Sequence, residues 1–463
     1  MIPEKLLHAK SIINDEPDEA LRICNDVLNE SFNDQDAQMA LFMSAYIMLQ
    51  AEKYGLAYHI YQRCAQLRPD MSEIWSNMGM CLEEHDPEKA KSLFEKAYKL
   101  NNKNAQALAN HGLMCLQTGE PEKCIKLSDQ ALQIDPNLTP AEHNKSLAQL
   151  MLRDWGGWKG YADTLGVKHR EARDYGKPDW NGEAGTVLVY GEQGVGDEIM
   201  FASCLPDLMK TNKVVFDCDK RLEGLFRRSF DCEVYGDRFK KQSRAADQNF
   251  DYQCAIGQLP SFYRLSDESF PKKTYLKPDP ERSLQWRALF DTLKGDKVGI
   301  AWRGGLRNTG EKARSLEISD FEPILNEDDT FISLEYKPVS DEDLSKYSLK
   351  SYPRATKGGG DIDDLAALIG QLDYVVTCCT TVVYVAGSLG IPCYILVPSK
   401  PGYRYHLRGE LPWYDSTHII RQRRDEIWRS TTARASAIIE QERNVQNHDH
   451  VQAATPKLKS VAG

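Results

Sequence analysis

Residues able to do chemistry gather first in the stretch from Val187 to Leu208, VLVYGEQGVGDEIMFASCLPDL. Val187-Leu188-Val189-Tyr190 is apolar and β-branched enough to form a buried parallel strand. Gly191, Gly194 and Gly196 then allow a tight turn and close approach by another molecule. Asp197 and Glu198 follow at the expected start of a helix whose face carries Met200, Phe201, Leu205 and Leu208. A carboxylate at the positive end of a helix suits a hydroxyl-bearing partner, with Asp197 as base or hydrogen-bond acceptor. The same residues also describe an ordinary strand-to-helix turn in which Asp197 is the N-cap.

Two glycine motifs fail here. Gly191 and Gly196 have the spacing of a Walker A loop, but Asp197-Glu198 stands where Lys-Ser/Thr is needed, and a carboxylate there repels phosphate. As a dinucleotide fingerprint, Gly194-x-Gly196 lacks its third glycine, because that position is Ile199.

A second group of residues suits an anion. Tyr374-Val375-Val376-Thr377-Cys378-Cys379-Thr380-Thr381 reads as strand into helix, and the helix runs on to Gly387-Ser388-Leu389-Gly390. Its N-terminus presents hydroxyls and backbone amides with no carboxylate, which fits a diphosphate. Upstream, a cationic loop follows a strand end: Trp302-Arg303-Gly304-Gly305-Leu306-Arg307 to Lys312-Ala313-Arg314-Ser315. Arginines there can neutralise a leaving nucleotide diphosphate, although a solvated basic loop has the same composition. Asp217-Cys218-Asp219 and Asp361-Ile362-Asp363 each resemble a metal-binding DxD. The first ends a strand and the second begins a helix, so N-capping accounts for Asp361 or Asp363 better than a metal does. No metal is expected.

Strand candidates around these sites are Val187–Tyr190, Val214–Asp217, Tyr252–Ile256, Val298–Trp302, Phe331–Leu334, Tyr374–Thr377 and Cys393–Val397. Their alternation with helical stretches implies parallel sheets covered by helices on both faces. Phe270–Pro280 reads as a crossover between two such sheets, and the tail from residue 444 as disordered. Residues 151–185, from Trp155-Gly156-Gly157-Trp158 to Pro178-Asp179-Trp180-Asn181-Gly182, form a packed aromatic connector.

Residues 1–150 lack strand patterns and repeat themselves. Trp75-Asn77-Met78-Gly79 opens a unit that continues through Ala90, Phe94, Ala97 and Leu100. Gly112 opens the next, through Cys124, Ala131, Ile134 and Pro136. Gly79 to Gly112 is 33 residues and Pro69 to Pro136 is 67, close to the ~34-residue period of a tetratricopeptide repeat. Small residues are expected where paired helices cross, and an earlier unit around Ala20 to Leu28 is expected to cap the array.

The chain has 463 residues, enough for about three domains. Its hydrophobic content of 41% allows real cores, and its net charge of −10 disfavours whole-surface binding to nucleic acid or anionic membrane. A local basic groove stays compatible with that charge. The twelve cysteines lack metal-ligand spacing and suit reduced thiols. The N-terminus has no signal-peptide core and no apolar run reaches membrane-spanning length, so a soluble, cytoplasmic protein is expected.

Six ordered blocks carry a resemblance: VLVYGEQGVGDEIMFASCLPDL, KVGIAWRGG with RSLEISDFEPIL, FISLEYKP, DIDDLAALIGQLDYVV, TTVVYVAGSLGIPCYILVP and LPWYDSTHIIRQ. Over about residues 155–440 the chain resembles the C-terminal part of tetratricopeptide-repeat glycosyltransferases. These are related to the heptosyltransferases and, more distantly, to O-linked N-acetylglucosamine transferases. The resemblance implies a tetratricopeptide-repeat solenoid followed by a GT-B fold of two Rossmann-like domains. The first, 186–275, would take the acceptor and the second, 276–443, the nucleotide-sugar donor, with no cofactor.

By this resemblance Asp197 matches the catalytic base, with Gly194 and Gly196 in its loop. Arg314 matches a basic residue of the phosphate loop, beside Arg303 and Arg307, and Thr380 and Thr381 fall at the donor helix start. The family pattern Asp-Thr-x-x-x-His is replaced by Cys379-Thr380-Thr381-Val382-Val383-Tyr384, which removes two polar groups beside the donor. Either the donor differs from the usual one or activity is weakened. The resemblance thus implies inverting, metal-independent transfer from a nucleotide-diphosphate sugar to a hydroxyl of a saccharide, protein or modified base. The repeats would then help to choose a protein or glycan acceptor. The competing expectation is a non-catalytic repeat scaffold with a degenerate nucleotide-binding domain, and a nucleic-acid acceptor is less favoured by charge.

Overall fold

A computed structural model describes residues 2–30, 34–167, 170–305, 311–356 and 361–454. The chain divides into two compact units, Met1–Val167 and Lys168–Gly463.

The first unit is helical throughout its described residues. Helices Ile2–Ile12 and Pro17–Glu30 come first, the second burying Ala20, Ile23, Cys24 and Val27. Four helical pairs follow: Asp34–Gln50 with Tyr54–Leu67, Ser72–Met80 with Pro87–Leu100, Ala105–Gln117 with Pro121–Ile134, and Thr139–Met151 with Gly157–Asp163. Their starts are written locally. Asp86 caps its helix by accepting from the Lys89 amide at 3.1 Å, and Asn104 does the same for Ala107 at 2.9 Å. Proline opens Pro87–Leu100 and Pro121–Ile134, where no helical N–H partner is lost. The repeating glycines sit where partner helices cross: a Cβ on Gly79 would lie 2.7 Å from the Phe94 ring.

The second unit contains two sheets in which every pairing is parallel. Strands β1 (Thr186–Tyr190), β2 (Lys213–Asp217), β3 (Glu233–Tyr235) and β4 (Tyr252–Ala255) form the first, in the order β3-β2-β1-β4. Strands β5 (Lys297–Ala301), β6 (Thr330–Ser333), β7 (Lys350–Ser351), β8 (Tyr374–Cys378), β9 (Cys393–Val397) and β10 (Thr417–Arg421) form the second, in the order β10-β9-β8-β5-β6-β7. Interior strands β8 and β9 are buried along their whole length, as a sheet covered on both faces requires. Order reverses between β5 and β8 in the second sheet and between β1 and β4 in the first, which places ligand crevices at those strand ends.

The stretch read as one connector belongs to both units. Gly157–Asp163 completes the last helical pair, where His143 Nδ1 lies 3.0 Å from the Thr164 hydroxyl. Residues 178–180 instead extend the β4 edge, with the Trp180 amide donating to the Gln253 carbonyl at 2.8 Å. Phe270–Pro280 carries no strand and runs back against the second sheet's layer, where the Tyr275 amide donates to the Ser388 carbonyl at 3.1 Å. The last helix, Trp428–Ala454, includes the first residues of the tail that the sequence reading began at residue 444. Residues 455–463 lie outside the described residues.

Among the described residues there is no disulfide, and eleven of the twelve cysteines are buried, Cys232 alone being intermediate. No helix of the described residues is long and apolar enough to cross a membrane.

Candidate functional site

The turn after β1 is shaped by buried carboxylates. A Cβ on Gly191 would lie 2.3 Å from Glu198, so the backbone passes against that side chain. Glu198 is fully buried, accepts from the Asp219 amide at 2.9 Å and pairs with Arg238. Glu192, also fully buried, accepts from the Gly257 amide at 3.0 Å and thereby ties β1 to the loop after β4. With Gly194 as N-cap, helix Val195–Ala202 begins in extended backbone and carries Asp197 in its first turn. Asp197 is therefore inside the helix and does not cap it.

Asp197 meets a residue that the sequence did not single out. Arg404 donates through Nε and Nη2 to the same oxygen, Oδ1, at 2.6 and 2.5 Å. Arg404 also donates to Gln193 Oε1 at 3.2 Å, and its guanidinium lies 4.5 Å from the centre of the Tyr403 ring. The available signal was a Tyr403-Arg404-Tyr405 run after the β9 strand end, but the two partners stand 207 residues apart.

The anion-suited residues meet at the switch point of the second sheet. Arg314 Nη1 donates to the Cys379 carbonyl at 3.1 Å, joining the loop after β5 to the end of β8. Gly304 allows this, because a Cβ there would lie 3.0 Å from Arg314 Cβ and 3.4 Å from the Cys379 carbonyl. Thr380 is the N-cap of helix Thr381–Leu389 and makes no side-chain capping bond. Arg303 is drawn elsewhere. Its Nε donates to Glu335 at 2.7 Å and its Nη2 to the carbonyls of Lys337 and Pro338, so Glu335, 4% exposed, matches its charge. Arg307 lies outside the described residues.

The two helix starts face each other. A Cβ on Gly196 would lie 2.9 Å from the Tyr384 ring and 3.3 Å from Thr381 Oγ1. Tyr384 is buried, and its hydroxyl donates to the Tyr405 hydroxyl at 3.4 Å. Burial pushes the Tyr384 phenol and the Cys379 thiol up to about 12 each, so both stay neutral near pH 7. They shape the site without charging it. Asp197, Gly196, Arg314, Cys379, Thr380, Thr381 and Tyr384 are thus brought to one locality, and Arg303 is turned away from it.

The DxD pairs are committed to structure. Asp217 accepts from the Asp237 amide and the Tyr175 hydroxyl at 3.1 Å each, and Asp219 caps Arg221 at 3.0 Å. Asp361 caps its helix through the Asp364 amide at 3.0 Å and pairs with Arg282, while Asp363 pairs with Arg228. No cluster of metal-ligand side chains exists among the described residues.

Comparison with known proteins identifies part of the helical unit. Residues 105–138 are a tetratricopeptide repeat. They cover the Ala105–Gln117 and Pro121–Ile134 pair, so the period read from the glycines is the tetratricopeptide period. Protein FlbA of Caulobacter vibrioides is 29% identical over 316 residues, which are 61% of this chain and 52% of FlbA. The chain spans about half the length of that relative. Among solved structures, MamA of Desulfovibrio magneticus RS-1 is 17% identical, with a TM-score of 0.31 over 35% of this chain and 92% of its own. A tetratricopeptide protein of Thermus thermophilus is 19% identical, with a TM-score of 0.31 over 36% of this chain and 90% of its own. YrrB, described as having an unusual peptide-binding site, is 16% identical with a TM-score of 0.29, over 35% of this chain and 84% of its own.

Proposed function

We propose that the chain is a glycosyltransferase of GT-B type that moves a sugar from a nucleotide-diphosphate sugar to an acceptor hydroxyl. The supporting observation is the apposition of the two helix starts: Asp197 stands on one, and Arg314 with Thr380 and Thr381 stands at the other. A carboxylate facing an anion-suited helix start separates the proton-taking group from the leaving-group site. In this reading the acceptor oxygen forms the new bond to the anomeric carbon as the bond to the diphosphate breaks. Asp197 takes the hydroxyl proton, and the departing diphosphate carries the electron pair. Arg314 and the amides at Thr380 and Thr381 stabilise the charge that builds there, where fixed donors act most strongly.

Two observations favour the scaffold reading: Asp197 already holds Arg404, and Tyr384 occupies the space against Gly196. A thermal-shift screen of the full chain with nucleotide sugars, followed by assay of sugar transfer or donor hydrolysis, separates the two. A selective stabilising hit with turnover supports the transferase. A selective hit without turnover supports the scaffold, and silence across the panel removes the nucleotide site from both. The tetratricopeptide repeats are proposed to hold the protein or glycan acceptor, as extended concave arrays do for partner chains.

A further inference from the structure

Seven of the eight residues of helix Val195–Ala202 are buried, and Asp197 is the exception. The helix is gripped along its length by residues of the crossover and of the half that carries the second sheet. Its start meets Tyr384 and Thr381 through Gly196. Further along, the Ile199 carbonyl accepts from the Tyr275 hydroxyl at 2.6 Å, and the Phe201 ring lies edge-on to Trp413 with centres 6.0 Å apart. Packing therefore fixes where the helix sits without help from Asp197. The pairing of Asp197 with Arg404 calls for another explanation.

Arg404 is itself held from several sides. It sits in a short turn, Tyr403–Tyr405, whose two tyrosines are buried. Arg421, the last residue of β10, donates to the carbonyls of His406 and Tyr405 at 2.7 Å each, which pins the turn to the second sheet. The guanidinium is steadied by the Tyr403 ring and by Gln193 Oε1. Its Nε and Nη2 both close on Oδ1 of Asp197, at 2.6 and 2.5 Å, so Oδ2 stands outside the pair. A fork-to-fork pair made for strength takes both carboxylate oxygens. Here one oxygen is anchored and the other is left to a ligand. A reacting group is held in productive geometry in this way, by a neighbour whose own rotamer is locked.

We infer that Arg404 is a positioning residue of the transfer: it anchors Asp197 through Oδ1 and so turns Oδ2 toward the acceptor hydroxyl. This rests on the reading of Asp197 as the base. The proton passes to Asp197, and Arg404 takes no part in making or breaking bonds. Because Asp197 follows β1 and Arg404 follows β9, the oriented base exists only while the two sheets are held together.

The test is donor hydrolysis by the full chain, with UDP-glucose, GDP-mannose and ADP-glucose as probes and water as the acceptor. On whichever donor wild type turns over, Arg404→Gln should lower kcat by about 10²-fold, as misplacing a reacting group does, with KM held within about twofold. Arg404→Lys still places one cationic donor at Oδ1 and should recover about tenfold of that loss. Hydrogen exchange of the peptide spanning 195–202 should be the same in all three proteins, because packing and not Arg404 holds the helix. Equal kcat in wild type and Arg404→Gln overturns the positioning role and leaves the transferase standing. So does a loss of kcat matched by faster exchange in 195–202, which makes Arg404 a strut. A variant faster than wild type also overturns it, since Arg404 would then be a block on the base. No turnover of any of the three donors by wild type overturns the transferase reading and the positioning role together.

Discussion

Asp197 has one oxygen taken by both Nε and Nη2 of Arg404, so only geometry at Oδ2, or release of Arg404, lets it accept a proton. Asp197→Asn keeps the shape and removes the basic group. Transfer should fall by ~10² to 10⁴, the usual cost of losing a general base, while nucleotide affinity stays nearly unchanged. Rate assays beside calorimetry check this, and wild-type turnover in the variant ends the role. Arg314→Ala removes the cation that bridges to Cys379 and should weaken nucleotide-diphosphate binding by about 1.5–3 kcal/mol. Equal affinity by calorimetry would make Arg314 purely a strut. At this scale the sequence places Asp197, Arg314 and Thr380 in segments that follow the strand ends at Tyr190, Ala301 and Cys378, because each strand shows as an apolar run. Arg404 was not legible, because no local pattern ties it to a carboxylate 207 residues earlier. The pairing of Arg303 was hidden for a related reason: a basic residue in a loop says nothing of Glu335, which arrives from the next strand end.

At the scale of elements, the seven strands expected from sequence all formed, within about a residue of their expected bounds. The three that escaped, β3, β7 and β10, are all sheet edges. Lys350–Ser351 is two residues long, and Thr417–Arg421 is buried only at Thr417 and Ile420, so neither shows the unbroken apolar run of an interior strand. Helix crossings allow a paired prediction. Gly112→Ala meets Ser128 and Cys124 only at 3.4–3.7 Å, so the gain in helix propensity should stabilise by up to about 1 kcal/mol. Gly79→Ala drives a methyl to 2.7 Å from the fully buried Phe94 ring and should cost about 1–3 kcal/mol through overpacking. Urea midpoints of the two variants, followed by exchange in the repeats, check the sign of each. Matching signs would show that the crossings are looser than these distances state.

For the molecule as a whole, the two units should respond to conditions separately. His111 is buried in the Ala105–Gln117 helix, and burial, aided by Lys123, lowers it to about 4. The unfolded chain then binds a proton more readily than the folded one between about pH 6.5 and 4, so stability is intact above that window and lost as pH falls through it. The loss should reach at most about 3 kcal/mol. Hydrogen exchange of peptides from 105–117 should therefore quicken between pH 6 and 4, corrected for intrinsic rates, and His111→Gln should flatten the trend. A fragment starting at residue 168 is the natural cut, since Gly157–Asp163 belongs with the repeats. It should bind nucleotide like the full chain and lose transfer to a macromolecular acceptor, and full-rate transfer by the fragment would free the repeats of that task. The parallel sheets also set a timetable. Val187 must find Tyr252, and Val298 must find Tyr374, before either sheet has a centre, whereas Ser72 needs only Ala97 and Asn144 only Ala109. Short-range closure is fast and long-range closure slow, so refolding should show a rapid helical phase and a later one reported by Trp302 and Trp413. During synthesis the repeats leave the ribosome first and can finish while β8 is still untranslated. The half-made sheet after β1 is then the chain's most exposed moment, with its fully buried strand Val187–Tyr190 waiting for partners not yet made.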